Sequence, residues 1–451
     1  MITHKQAKTA LMYVLLLVAS GASAQLPAIN TNEHNFSLQQ TVAFAKKNNT
    51  QVKNALLNLD IQKQVNRGIT AAALPTLSGN IAANKYFNIP TQVIPAGAFP
   101  GQTKDQAVSF GLNYNSTAAL QLQQLLFDGQ VFVGLQARKA SIDFQTKNIE
   151  VTEEVIKTNV MKVYYQLVVS KTQVALVDAN ITRLEKLQHD TKELYKVGFA
   201  EKLDVDKIDV QVTNLKTQKL SIVNNINIGY LGLKTLIGMP AKEVLQLTDT
   251  LSEAQIKDGI LQDAPYQYID RKEYQYAMLG KKLNEYNIKR YQLSYLPTIS
   301  LSGTYAKQAY RHSFDFLQKG DWYPASWVGL NISIPIFDGF AKDAKIKQSK
   351  LELQQTENNI DNLKHSIDSE VEQATLNYKT AVATIDFQKK NMELAETVYN
   401  QTKKKYEVGT GSNTEITAAQ TDLVTAQTNY INALYSAIIA KVDYQKATGK
   451  L

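Results

Sequence analysis

Two periodicities divide this chain. The first is alternation. Val328, Leu330, Ile332, Ile334 and Ile336 alternate with Gly329, Asn331, Ser333 and Pro335, and Ile299, Leu301, Gly303 and Tyr305 alternate with Ser300, Ser302 and Thr304. A period of two predicts half-buried strands. Val108, Phe110, Leu112 and Tyr114 alternate in the same way, and a less regular strand is expected over about 77–89. The second periodicity is close to 3.5. Ile360, Leu363, Ile367, Val371, Ala374, Tyr378, Ala381 and Ile385 step by three and four, and Ile149, Ile156, Val160, Val163, Leu167, Val174, Val177, Ile181 and Leu184 follow the same seam. That is a coiled-coil signature. Residues 130–195 and 340–406 contain no proline and one glycine, Gly134. Each segment therefore reads as one helix of about 100 Å, at 1.5 Å per residue.

The chain is one unit written twice. Leu125-Leu126-Phe127-Asp128-Gly129 returns as Pro335-Ile336-Phe337-Asp338-Gly339, Tyr195-Lys196-Val197-Gly198 as Tyr406-Glu407-Val408-Gly409, and Ile237-Gly238 as Thr448-Gly449, at offsets of 210 or 211. Leu74-Pro75-Thr76 returns as Leu296-Pro297-Thr298 at 222, so the first copy carries about 12 extra residues between these marks, a longer loop. Internal repetition of this kind fixes the fold before any single motif does. Each copy is expected to run helix, strand, strand, long helix, returning helix. The opening helices are placed at 38–72 and 273–295, with the prolines after them ending each. Loops fall at 90–106 and 316–324, and Val-Gly turns the chain into helices 203–237 and 415–447. The domain expectation is a leader at 1–24, a first repeat at 25–240, a linker at 241–265 and a second repeat at 266–451. Its strands lie at about 75–90, 107–127, 297–312 and 326–337. Its coiled-coil helices lie at about 128–195, 201–238, 338–407 and 413–448.

The first 24 residues carry Lys5 and Lys8, an apolar run from Ala10 to Ala19, and the small-x-small site Ala22-Ser23-Ala24, which predicts an export signal cut before Gln25. The run is about half of the ~20 residues that span a bilayer. The chain has no cysteine, which rules out disulfides and an N-terminal thiol-linked lipid. No later segment approaches 18 continuous apolar residues, yet an exported chain can still cross a membrane as a closed β-barrel. Four strands are too few to close one, since about eight is the practical minimum. Copies of the chain must supply the rest, and the sequence does not say how many. Tyr86, Phe87, Tyr305, Tyr310, Trp322, Tyr323, Trp327 and Phe337 lie in or beside the strands, as interfacial girdles would.

The formal charge is +8, or +6 without Lys5 and Lys8. Lys and Arg are dispersed among acids and amides, with Lys403-Lys404-Lys405 the one tight run, so solvated helix faces are expected rather than a nucleic-acid surface. Amides such as Asn48-Asn49 are expected on a solvated helix surface. The five histidines have no metal-ligand spacing, and no G-x-S-x-G, G-x-x-x-x-G-K or H-E-x-x-H motif occurs. No enzyme activity, metal or cofactor is expected.

With the doubled unit, the Leu-Pro-Thr and Phe-Asp-Gly marks and the Val-Gly turns in place, the chain resembles the TolC-type outer membrane efflux family over nearly all of its mature length. The resemblance implies a mainly α protein with a membrane β-barrel. It implies a homotrimer in which a twelve-stranded barrel in the outer membrane continues as a twelve-helix α-barrel in the periplasm. It further implies a passive exit duct of a tripartite efflux or type I secretion system. The partners it implies are a periplasmic adaptor, an inner membrane pump of RND, ABC or MFS type, and outer membrane lipid. Adaptor-docking tips then fall at Val197, Gly198, Phe199, Val408, Gly409 and Thr410. Acids lining the periplasmic entrance fall at Asp204 and Glu415. A tyrosine that helps hold the entrance shut falls at Tyr406, within reach of Asp204. A second acid of some members is replaced by Ala418, and an arginine latch by Gly411, so the closure must differ here. From the residues alone, Ser412-Asn413-Thr414-Glu415 also fits a capping box, and Tyr406 also fits the last seam position of its helix. The competing reading is an exported coiled-coil structural or interaction protein without a pore.

Overall fold

The computed structural model describes residues 33–250, 252–257, 266–317 and 320–451. The expected leader lies outside the described residues. Strand β1 (Glu33–Phe36) leads into helices α1 (Leu38–Asn48) and α2 (Thr50–Ala71), then strands β2 (Thr76–Lys85), β3 (Thr91–Ile94), β4 (Gln106–Ser109) and β5 (Tyr114–Phe127). The long helix α3 (Gly129–Lys196) and its return α4 (Lys202–Ile237) close the first copy. After β6 (Val244–Leu247) and the short α5 (Glu253–Lys257), the second copy runs α6 (Lys272–Gln292), β7 (Thr298–Arg311), β8 (Tyr323–Ser333), α7 (Ala341–Glu407) and α8 (Asn413–Ala447). With 68 and 67 residues, α3 and α7 are each about 100 Å long.

Strands and helices keep one lateral order. The main sheet is β2-β5-β7-β8, antiparallel throughout. Below it α2 packs on α3, α3 on α6, and α6 on α7. Farther from the sheet α4 packs on α3, α3 on α8, and α8 on α7. The returning helices thus lie beneath the short ones, α4 under α2 and α8 under α6. Each ends at a left-handed glycine pressed against the start of the helix above. A Cβ on Gly238 (φ +74°) would meet the Asn48 carbonyl oxygen closer than any real contact, and one on Gly449 (φ +71°) would come within 2.9 Å of the Asp270 carbonyl oxygen. Arg271, 3% exposed, ties the second junction: its Nη1 donates to the Ala447 carbonyl at 2.8 Å and its Nη2 pairs with Glu370 at 2.8 Å and Glu273 at 3.1 Å.

The main sheet has two different faces. Its register aligns Leu77 with Leu122, Leu120 with Tyr305, Leu301 with Leu330 and Gly303 with Val328 on one side. The other side aligns Ser78 with Gln121, Gln121 with Thr304, and Ser302 with Gly329, beside Asn331. Trp327, opposite Thr304, shares this side, so the pairing register places it away from the apolar face on which a girdle residue was expected. The apolar face is bare: Leu77, Ile81, Leu120, Val328, Leu330 and Ile332 are all more than half exposed. Among the described residues both outer strands, β2 and β8, leave one edge unpaired.

Four elements depart from the sequence expectation. The helix expected over 38–72 breaks at Asn49, whose ψ of 133° is not helical. Asn49 is 6% exposed rather than a solvated surface amide. The first-copy strands are not continuous over 75–90 and 107–127. β2 ends at Lys85, and β3, in the region expected to be loop, forms a separate hairpin with β4, which begins where the second strand was expected. Gly111, at φ +140°, lies between β4 and β5. The extra residues of the first copy thus build a second small sheet. β8 stops at Ser333 rather than reaching 337, whereas its counterpart β5 reaches Phe127. The reason is position: β5 is flanked by β2 and β7, and β8 has β7 alone. Finally, the stretch expected as linker contains β6, which pairs in parallel with β1.

Candidate functional site

The site lies where the four long helices end, farthest from the sheet. Two turns form the tips. Gly198 (φ +82°) and Gly409 (φ +76°) follow α3 and α7 in the left-handed region. Phe199 N donates to the Leu194 carbonyl at 2.9 Å and Gly198 N to that of Tyr195 at 3.1 Å. Thr410 N to Lys405 at 3.0 Å and Gly409 N to Tyr406 at 3.1 Å repeat the pattern. This Schellman arrangement satisfies the last carbonyls of a helix and requires the glycine. Unlike Gly238, both tip glycines face open space where a Cβ would stand. Val197, Phe199 and Val408 are 66%, 83% and 73% exposed, an unusual cost for apolar groups with no packing partner.

The returning helices begin with caps. Ser412 Oγ accepts from Glu415 N at 3.2 Å and Glu415 Oε2 accepts from Ser412 N at 3.3 Å. Asp204 accepts from Glu201 N at 3.3 Å in the same way. Asp204 also joins the two tips: Asn413 Nδ2 donates to its Oδ1 at 2.9 Å and to its main-chain oxygen at 3.1 Å. The expected approach of Tyr406 to Asp204 does not occur. Tyr406 Oη instead pairs with Thr191 Oγ1 at 3.0 Å, a second link between the hairpins. Asp204 is occupied by Asn413, and Tyr406 sits over α3 rather than over the start of α4.

Between the tips lies a cleft of about 960 Å³, bordered by Asp190, Glu193, Glu201, Asp204 and Glu407 against Arg183, Lys186 and Lys403. Glu193 titrates below the usual carboxylate range because Lys196 donates to it. Tyr399 closes the cleft toward the helix bodies. It is buried, which raises its hydroxyl pKa, and the Arg183 guanidinium lies 5.6 Å from its ring centre. Among the described residues no cluster of three His, Asp or Glu is arranged to hold a metal.

Above the cleft the α3–α8 seam is partly polar. Asn180 Nδ2 donates to Gln427 Oε1 at 3.0 Å, and Gln420 Nε2 donates to Asn180 Oδ1 at 3.2 Å. All three are at most 7% exposed. The α8 seam alternates amide and aliphatic: Asn413, Ile416, Gln420, Leu423, Gln427. The sequence expectation did not identify Asn180, Thr191, Asn413, Gln420 or Gln427. Their signal was the sevenfold spacing 413-420-427 and the continuation of the α3 seam as 177-180-184-187-191, both masked by a search for apolar positions only.

A model of the family described as "Outer membrane efflux protein" matches residues 275–450. The outer membrane protein TolC of Salmonella enteritidis is 20% identical over 349 residues, covering 76% of this chain and 70% of that protein. The second copy of this chain is thus similar to the outer membrane efflux protein family. The efflux protein BepC of Brucella suis is 22% identical over 420 residues, 92% of this chain and 86% of BepC. In fold, this chain superimposes on the crystal structure of VceC from Vibrio cholerae with a TM-score of 0.71 at 16% identity, covering 91% of this chain and 96% of that one. The family match lies in the second copy, and the repeat carries its marks into the first.

Proposed function

We propose that this chain is the outer membrane exit duct of a tripartite efflux or type I secretion system, a passive conduit with no catalysis of its own. The observation that carries this reading is the main sheet, apolar on one face, polar on the other and open at both edges. Such a sheet suits a barrel wall with lipid outside and water inside, and its unpaired edges call for further strands. The helical layer repeats the demand. Its outer helices carry bare apolar residues on both sides: Leu56, Ile61 and Val65 on α2 and Leu220 on α4 at one margin, Phe387 and Leu394 on α7 at the other. A second copy set beside the first would pair β8 with β2 and cover both margins. Three copies give twelve strands and twelve long-helix segments, the arrangement we assign.

In that assembly the tips Val197, Gly198, Phe199, Val408, Gly409 and Thr410 face the periplasmic adaptor, which connects the duct to an inner membrane pump. Asp204 and Glu415, repeated around the axis, place carboxylates at the entrance, where they favour cations. Asn413–Asp204 and Tyr406–Thr191 hold the two hairpins of one protomer together and serve as the closure in place of an arginine at Gly411. A side chain at that position is disfavoured, since a Cβ there would lie 3.0 Å from Tyr406 N.

The test uses the absence of native cysteine. Ala82→Cys on β2 and Asn331→Cys on β8, opposite each other if β8 and the next copy's β2 keep the register of β5 and β7, in which Gln121 faces Thr304, combined in one chain and oxidised in detergent, should give a covalent ladder ending at three protomers. A protein that extracts without detergent and stays monomeric sinks the proposal.

A further inference from the structure

Most of the net charge of this chain is placed in one zone. The four helix segments nearest the sheet, residues 50–71, 129–150, 272–292 and 341–364, are basic in sum, while the regions around the tips are close to neutral. Within that zone α2 and α3 enclose a groove of about 470 Å³ whose walls include the cations Lys63, Arg138 and Lys139 and the apolar Leu135 and Ile142. Lys289 of α6 joins its rim by donating to Gln136 at 3.0 Å. Lys63 is paired to Asp60 at 2.8 Å, but Lys139 is exposed and has no acidic partner among the described residues.

Direction matters as much as charge. Side chains on a helix lean toward its N-terminus, and the N-terminus of α3 is its sheet end. Arg138 and Lys139 therefore lean toward the membrane. Arg138 shows this directly, its Nη1 donating to Thr70 Oγ1 at 2.6 Å, one residue from the end of α2. Lys139 lies ten residues along α3, about 15 Å below its first residue, and its stem reaches back some of that distance. The interfacial layer of a bilayer extends about 5–8 Å beyond the hydrocarbon. An ammonium group on Lys139 thus faces that layer from below, within reach of its charge at a Debye length of about 8–10 Å, with apolar side chains beside it.

We propose that the α2–α3 groove binds an anionic phospholipid headgroup of the periplasmic leaflet, one per protomer. This rests on the membrane-duct reading, so the first measurement is the trimer in detergent; loss of the trimer would count against that reading and not against the groove. The trimer is then placed in nanodiscs of equimolar phosphatidylglycerol and phosphatidylcholine, stripped, and its retained lipid weighed by native mass spectrometry. Wild type should retain phosphatidylglycerol preferentially. Arg138→Gln with Lys139→Gln should lower the preference, by about fivefold per lost charge on the scale of a basic side chain near an anionic surface. Lys404→Gln, an exposed cation on α7 near the tip and far from the sheet, should leave it unchanged. Equal retention of the two lipids overturns the proposal, as does a preference that survives the double variant. Displacement by inorganic phosphate would assign the groove to soluble anions instead and equally overturn it.

Discussion

Asn49 Nδ2 donates to the main-chain carbonyl of Leu236 at 2.7 Å. The same side chain caps the helix it begins, its Oδ1 accepting from Gln51 N at 2.7 Å and Val52 N at 3.3 Å. One amide therefore closes α4 beneath it and opens α2 above it. Asn49→Ala should lower the melting temperature of the protein by the equivalent of about 1–2 kcal/mol per chain, the scale of a lost N-cap. Asn49→Asp keeps the cap and loses the donation, so it should fall between the two. Equal stability of Asn49→Ala and wild type would show the junction to be held by Gly238 packing alone.

The polar seam makes the opposite kind of prediction. Asn180→Ala leaves the amides of Gln420 and Gln427 buried without their partner, at about 1–3 kcal/mol for each unmatched group. Replacing all three by leucine removes the unmatched groups and should recover most of that loss. Calorimetry of the single and triple variants distinguishes the two; a triple variant less stable than Asn180→Ala would mean that the amides, not their pairing, are needed.

Glu253 offers a test in acid. Lys257 and Lys389 donate to it at 2.7 and 3.0 Å and hold its carboxyl at about 2, against 4.5 unperturbed. A depressed folded value means that the carboxylate stabilises fully above the unfolded value and that the contribution is lost as pH falls toward the folded one. The stability gap between wild type and Glu253→Gln should be constant near neutrality, narrow below about 4.5 and vanish near 2. A gap that does not change with pH would remove the charge from the explanation.

At the tips, exposure separates docking from stability. Phe199 is 83% exposed, so Phe199→Ala should leave melting within about 0.5 kcal/mol of wild type while impairing export. Gly198→Val strains a positive φ, at about 1–2 kcal/mol, and should impair export with the trimer intact. A dissociated trimer in either variant would assign the turn a structural role only.

Glu415→Gln separates the two roles of that residue. Glutamine can still accept from Ser412 N, so the cap survives, while the charge is lost. Reduced cation selectivity in single-channel recordings is the expected outcome; unchanged selectivity would leave Glu415 as a cap.

The sequence by itself determined the doubling, the two long helices, the glycine turns at Gly198 and Gly409 and the alternating strands. These follow from local rules: seam spacing, the absence of proline, and a backbone position that only glycine enters cheaply. Tertiary structure decided the rest. Asn49 reads as a surface amide until α4 is brought beneath it, and Tyr406 reaches Thr191 rather than Asp204 because Asn413 of the neighbouring helix already fills that place. Asn180, Gln420 and Gln427 look like solvated polar positions along a single helix, since burial depends on which helices meet. The ends of β5 and β8 differ although their sequences are counterparts, because pairing partners, not residue identity, decide how far a strand runs.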